Sequence, residues 1–455
     1  MAIESRNPAT GELDESFEAY SLARVDKAID GSEAAFAAWR LISFSERAEH
    51  LAALAGRFEA ERDTLAAMAV REMGKRIAEA RAEVDKCAWV CRHYAEEGER
   101  YLADEPAESD AAETYVAYQP LGPLLAVMPW NFPFWQVMRF AAPAAMAGNS
   151  ILLKHASNVP QCALAVERLF REAGFPPDLF QTLLIGPDKV APIIEDRRIR
   201  GVTLTGSASV GSKIGATAGG ALKKNVLELG GSDPFIVMPS ADLERAVDTA
   251  LKARMVNNGQ SCIAAKRFIV HSDVYDEVRD RFVRQADSMV VGDPMDEATD
   301  LGPLATAGIR DGLAKQVEHS VSVGARLATG GAIPNRPGCF YPPTVLEEIP
   351  DEAAATCEEL FGPVASFYRV PSIDEAIRRA NITTYGLGSS AWTRDRQEQQ
   401  RFVRELEAGA VFINRMVASD PRIPFGGVKD SGYGRELSHH GIHEFVNVKT
   451  VAIDA

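Results

Sequence analysis

The chain has no surplus of positive charge. Its 49 lysines and arginines are outnumbered by 64 acidic residues, for a net charge of −15. Nucleic acid and anionic membrane surfaces both need a basic footprint, so neither is expected as a partner. Long apolar runs are also missing. The most apolar stretch, LLAVMPWNFPFWQVM, is broken by prolines, and no membrane-spanning segment is expected. The N-terminal MAIESRNPATGE is polar from the start, which argues against a secretory leader. Cysteine is sparse: Cys87, Cys91, Cys162, Cys262, Cys339 and Cys357 are scattered over 455 residues. That usage suits a reducing cytoplasm better than a disulfide framework. Two nucleotide-binding signatures are absent as well. GYGREL has Leu437 where a G-x-G-x-x-G fingerprint needs its third glycine, and there is no Walker A lysine loop.

What is present is an alternation of strands and helices in a chain too long for one ordinary core. Residues 25 to 102 read as amphipathic helices, one of them closed by Gly74. ETYVAYQPLGPLLAVMPW switches to strand character. SILLKHA, FQTLLIG and GVTLTGS then read as strands, each followed by a helical segment. This rhythm implies βαβ units around a parallel sheet. A second series starts at NVLELGGSDPFIVM, placing a boundary between two α/β domains near Gly230–Gly231. The final HEFVNVKTVAID alternates like an edge strand.

Several residues have chemistry to offer, and each also has an ordinary reading. TGSASVGSKIG follows a strand and opens a helix, so its N–H groups could face a pyrophosphate. Lys154 and Ser157 end the strand of LLKHAS, where a lysine is commonly just solvated. Cys262 in VNNGQSCIAAK is either inert packing or a nucleophile held against a turn. Glu228 in LELGG is either a solvated strand-end carboxylate or a general base raised by apolar surroundings. Asn131 in PWNFP is either a cap ahead of Pro133 or an oxyanion donor. Trp135 and Arg139 follow it at helical spacing, which would put all three on one face and make Arg139 an anion anchor. Cys87, Cys91 and His93 read as core, and His439, His440 and His443 lack a fourth ligand, so no metal site is expected.

PWNFP, LLKHAS, LTGSASVG, LELGGSDP, NNGQSC, EELFGPV and PFGGVKDSGYGRE occur in this order from Pro129 to Glu436. Together they resemble the aldehyde dehydrogenase superfamily along essentially the whole chain. The resemblance implies an α/β fold with a variant Rossmann cofactor domain (1–112 and 129–229), an α/β catalytic domain (230–427) and a small β oligomerisation element (113–128 and 428–455). It makes Cys262 the nucleophile, Glu228 the general base and Asn131 the oxyanion donor. Lys154, Ser157, Gly206, Ser207, Gly211, Trp130, Leu229, Glu359 and Phe361 fall where the family holds its dinucleotide. An aldehyde would be oxidised to the acid through a thiohemiacetal and a thioester. Without the base, the acyl group would wait for another nucleophile such as coenzyme A.

Where NAD-preferring relatives often carry a glutamate, this chain has Ser157, which favours NADP over NAD. Within the family, FWQVMRF and MVASDPRIPFGG are similar to bacterial succinate-semialdehyde dehydrogenases. The similarity implies that Arg139 pairs the remote carboxylate, helped by Ser261 and Ser419, with Trp135 as a wall. The chain departs from several such enzymes at Val256, where they place a second arginine; broader use of small aldehydes would follow from a single cation. A coenzyme A-acylating enzyme and a silent homologue are the competing readings. A cytoplasmic homodimer or homotetramer is expected, paired through a hairpin at about Glu113–Met128 and the C-terminal strand.

Overall fold

Apolar residues buried on both sides dictate the centre of the first sheet. In the computed structural model, which describes residues 3–454, all six residues of the strand Pro123–Met128 (PLLAVM) are buried. It lies parallel between Ser150–His155 and Gly201–Thr205. Phe180–Thr182 continues the sheet outward on one side. Lys224–Glu228 continues it on the other, followed by the short antiparallel Gly432–Tyr433. The strand of this sheet that comes first in the chain is therefore central, and later strands are added first to one side and then to the other. Strand order reverses between Pro123–Met128 and Gly201–Thr205. In open α/β sheets a ligand crevice lies at the carboxyl ends of the strands beside such a reversal.

The chain crosses to a second sheet between Glu228 and Asp233. Seven strands make it up, in the order Arg326–Thr329, Thr344–Glu347, Val364–Val370, Ala265–His271, Asp233–Val237, Gly388–Trp392 and Ala410–Ile413. All its pairings are parallel except the first. A third sheet joins Val446–Ile453 to Glu113–Pro120 over eight antiparallel pairs, with Glu105–Pro106 beyond. No helix among the described residues is long and apolar enough to cross a membrane.

Two expectations about the small β element are corrected. Residues 113–128 do not form one hairpin with the C-terminal strand. Only Glu113–Pro120, half-buried and polar in part, pairs with Val446–Ile453, whereas the wholly apolar Pro123–Met128 is drawn into the sheet core. Of residues 428–455, Gly432–Tyr433 extends the first sheet and helix Ser438–His443 packs on the helices of that domain.

Helix ends follow local chemistry. A Ser43–Glu46 capping box opens Phe44–Ala60, and Gly74, at φ 81°, closes Arg62–Met73. The helix Trp135–Ala147 has no capping side chain of its own. The buried Glu83 of helix Ile77–Tyr101 takes that role. One carboxylate oxygen accepts from the N–H groups of Phe134 (2.8 Å) and Trp135 (2.9 Å), and the other pairs with the fully buried Lys75. Asn131 thus precedes the helix rather than riding on it, and it shares no helical face with Trp135 and Arg139. Removing one member of a buried pair leaves the other uncompensated. Glu83→Ala should therefore destabilise the protein by about 3–5 kcal/mol, read as a lower urea midpoint with an unchanged slope.

Candidate active site

The NNG of the stretch around Cys262 turns the chain through three successive left-handed residues. Asn257 and Asn258 both have φ 56° and Gly259 has φ 74°. Side chains rarely adopt this conformation, and it persists only where surroundings over-determine it. Here they do. Asn258 Nδ2 donates to the carbonyls of Gly74 and Pro303 at 2.9 Å each, and its Oδ1 accepts from Gly302 N. Asn257 Nδ2 donates to Asn131 O at 2.7 Å and to Gln260 O at 3.0 Å. Gln260 Oε1 accepts from Ala305 N. At Gly259 a Cβ would lie 2.3 Å from the Gly362 backbone, so only glycine fits.

Cys262 follows this turn and opens, partly exposed, into a cavity of about 590 Å³. Phe132, Trp135, Arg139, Val256, Ser261 and Ser419 share its wall. Asn131 is buried against the same turn, its Nδ2 donating to Gln260 O at 3.0 Å, two residues before the cysteine. Lys266 is the staple on the far side. Its ammonium donates to the carbonyls of Ser261 (3.0 Å), Cys262 (2.8 Å) and Ala264 (3.3 Å), and it pairs with Glu359 at 3.2 Å. Burial pushes the Cys262 thiol up to about 12, although Arg139 and Lys266 both pull it down. The resting side chain is thus a thiol, and a base must take its proton before attack.

Glu228 ends its strand fully buried, with neither carboxylate oxygen hydrogen-bonded among the described residues. Desolvation, then repulsion from Glu436, raises its pKa well above the ordinary carboxylate range. It packs against Gly426 and does not line the cavity in this rotamer. Arg139 is placed differently from expectation. It reaches the cavity wall, but its guanidinium is ion-paired with buried Glu436, donates to Thr205 Oγ1 at 3.3 Å and lies over the Phe425 ring. The Glu436 carboxylate therefore offsets part of the charge that Arg139 brings to the cavity. The sequence reading missed Lys86, which also faces this cavity and donates to Ser419 Oγ at 2.7 Å. Its only local signal was a lysine beside the apolar CAWVC face of its helix.

On the other side, most of the residues expected to hold a dinucleotide follow strand ends of the first sheet, while Glu359 and Phe361 precede strand Val364–Val370 of the second. Lys154 is the penultimate residue of Ser150–His155, half-buried and in no salt bridge among the described residues, its pKa lowered by burial. Ser157 is exposed three residues on. Helix Ala208–Gly220 starts at Ser207, whose side chain does not cap it, and its first turn has no acidic residue. Those open N–H groups suit an anion. At Gly211 a Cβ would come within 2.4 Å of the Leu229 side chain, so glycine lets the helix sit close to the strand end. Trp130 and Phe361 meet edge-to-face at 5.7 Å, and Glu359 also accepts from Gly231 N.

The sequence profile of the Aldehyde dehydrogenase family matches residues 1–451. The chain belongs to the aldehyde dehydrogenase family. Relatives within the family include a succinate-semialdehyde dehydrogenase of Mycobacterium tuberculosis, designated NADP(+), at 56% identity with all of both chains covered. A probable succinate-semialdehyde dehydrogenase of Synechocystis, also designated NADP(+), is 53% identical with the same full coverage. Among solved aldehyde dehydrogenases, the succinic semialdehyde dehydrogenase of Streptococcus pyogenes in complex with NADP+ superposes with a TM-score of 0.97 at 36% identity, again over all of both chains. The α/β fold with a Rossmann-like and a catalytic sheet is that of the family.

Thiolate fraction rises tenfold per pH unit below a thiol's pKa. Without ligands, the rate at which iodoacetamide alkylates the Cys262 peptide, followed by mass spectrometry, should climb through pH 9–10 with no plateau near neutrality. A plateau near pH 7 would mean a preformed thiolate.

Proposed function

We propose that this aldehyde dehydrogenase oxidises succinate semialdehyde to succinate with NADP. The observation that carries the cofactor half is the pair at the strand end. Lys154 lacks a counter-ion among the described residues, and position 157 holds a small exposed hydroxyl rather than a carboxylate. A carboxylate there would repel a ribose 2′-phosphate, whereas a cation and a hydroxyl donor attract it. The substrate half is supported by the NADP(+)-designated relatives and by a cavity that joins Cys262 to apolar walls and a cation.

The residues divide the chemistry as follows. Cys262 Sγ gives up its proton to solvent water and bonds to the aldehyde carbon, and the carbonyl oxygen becomes an oxyanion. The second N–H of the Asn131 amide has no acceptor among the described residues, so it is available to that charge together with the Cys262 backbone N–H. One such donor is typically worth about 3 kcal/mol. When bound, the oxidised nicotinamide supplies the hydride acceptor. Lys154, Ser157, Gly206 and Ser207 would hold the ribose and phosphates, Trp130, Leu229 and Phe361 would pack against the cofactor, and Glu359 would leave Lys266 to take a ribose hydroxyl. Glu228, already short of hydrogen-bond partners, swings from Gly426 towards Cys262. There it removes a proton from the water that hydrolyses the thioester. The apolar side chains of Phe132 and Trp135 limit competing water.

The six free cysteines and acidic surface suit a cytoplasmic enzyme. The outer strand Val446–Ile453, with Val448 and Ile453 exposed, offers an edge for pairing into a homodimer or homotetramer.

Steady-state kinetics on succinate semialdehyde should give a higher kcat/KM with NADP than with NAD. Ser157→Glu should reverse that order by at least roughly tenfold, the scale of one lost charge-assisted contact. An NAD preference in the wild type, with NADP use untouched by Ser157→Glu, would overturn the cofactor reading.

A further inference from the structure

We propose that Lys86, with Ser419 as its partner, is a further residue that recognises the far carboxylate of the substrate. This rests on the reading of an ω-carboxy aldehyde as substrate and names what selects it. Lys86 sits on helix Ile77–Tyr101 with its ammonium 4.4 Å from the Trp135 ring and 2.7 Å from Ser419 Oγ, on the wall of the cavity that Cys262 opens into.

The case rests on a comparison of the cavity's cations. Arg139 already pairs with Glu436 and Arg76 with Glu79. Lys252 is exposed at the cavity's edge. Lys86 alone combines burial with the lack of a carboxylate within ion-pair reach among the described residues. The acids around it are already engaged. Glu83, on its own helix, holds Lys75 and two backbone N–H groups. Asp420, on the facing loop, is held by Arg422 at 2.6 Å. Cys87, next to it in sequence, is a buried thiol whose own pKa is raised, and Arg139, on the adjacent helix, repels the ammonium. A half-buried cation without an anion is costly, and a bound carboxylate repairs that deficit. Trp135 contributes its ring face, and Ser419 can turn its hydroxyl proton towards the same anion while accepting from Lys86.

Burial, followed by repulsion from Arg139, brings the Lys86 ammonium down to about 8. Its charge is therefore present at neutral pH and fades as pH rises through about 8. A substrate carboxylate can bind the charged form only, so affinity falls on the alkaline side. A neutral aldehyde feels neither effect.

The test compares succinate semialdehyde with butanal, a neutral aldehyde of the same carbon count, in wild type, Lys86→Met and Lys86→Arg with NADP. Lys86→Met should raise KM for the semialdehyde roughly 10- to 100-fold, the worth of one charged hydrogen bond, with kcat changed far less and KM for butanal moved little. Retained turnover of butanal shows that the variant is folded. Lys86→Arg should restore most of the loss, and the rise of the semialdehyde KM above about pH 8 seen in the wild type should be absent from it. Equal KM changes for both aldehydes, or a semialdehyde KM unmoved by Lys86→Met, would overturn the role of Lys86. A wild type that prefers butanal would overturn the substrate reading instead, so the two failures are separable.

Discussion

Three left-handed residues in succession, Asn257, Asn258 and Gly259, hold the reactive cysteine where it is. The strain of that turn is offset by buried amide hydrogen bonds reaching Gly74, Pro303, Gly302 and Asn131. These partners come from the helical N-terminal part, the loop after the first central strand and a segment beyond residue 300. One turn therefore ties both sheets together at the site. Asn131 lies on it because Asn257 grips its carbonyl, and Lys266 grips the Cys262 carbonyl from the other side. Pre-organisation of this kind means that little has to rearrange when charge develops at the reacting carbon.

Around the turn, the site keeps buried charges in an unequal balance. Glu228 and Glu436 both feel Arg139, which pairs with Glu436, while Arg435 acts on Glu228 more weakly. Glu228 is left desolvated and inclined to hold a proton, the condition of a carboxylate that can shuttle one. Lys266 stands between Glu359 and the cysteine turn, and buried Asp233 nearby is raised to about 7. Lys86 completes the set as a cation waiting for an anion. The two faces of the site thus carry different deficits, one for a proton acceptor's partner and one for a counter-charge.

Much of this was legible in the chain and some of it was not. Strand-and-helix alternation, the Gly74 stop and the clustering of Lys154, Ser157 and Ser207 at strand ends follow from local patterning, which acts over a few residues. The identity of the cysteine turn was visible as NNG, but its left-handed geometry was not, because the bonds that stabilise it span up to 184 positions. The same non-locality hid the partner of Arg139. Nothing near it in sequence announces Glu436, nearly 300 residues later. Lys86 escaped notice because a lysine on a long helix is ordinarily solvated, and only the packing of Trp135 and Ser419 encloses it. Pro123–Met128 was placed in the oligomerisation hairpin by the family resemblance, yet its six buried residues needed the middle of a sheet.

The central claim is that Cys262 carries the acyl group and Glu228 releases it. The most direct measurement is intact-protein and peptide mass spectrometry of Glu228→Gln mixed with succinate semialdehyde and NADP. A succinyl increment should build up on the Cys262 peptide and persist, while the wild type shows it only fleetingly. No adduct, or an adduct on another side chain, would contradict the account.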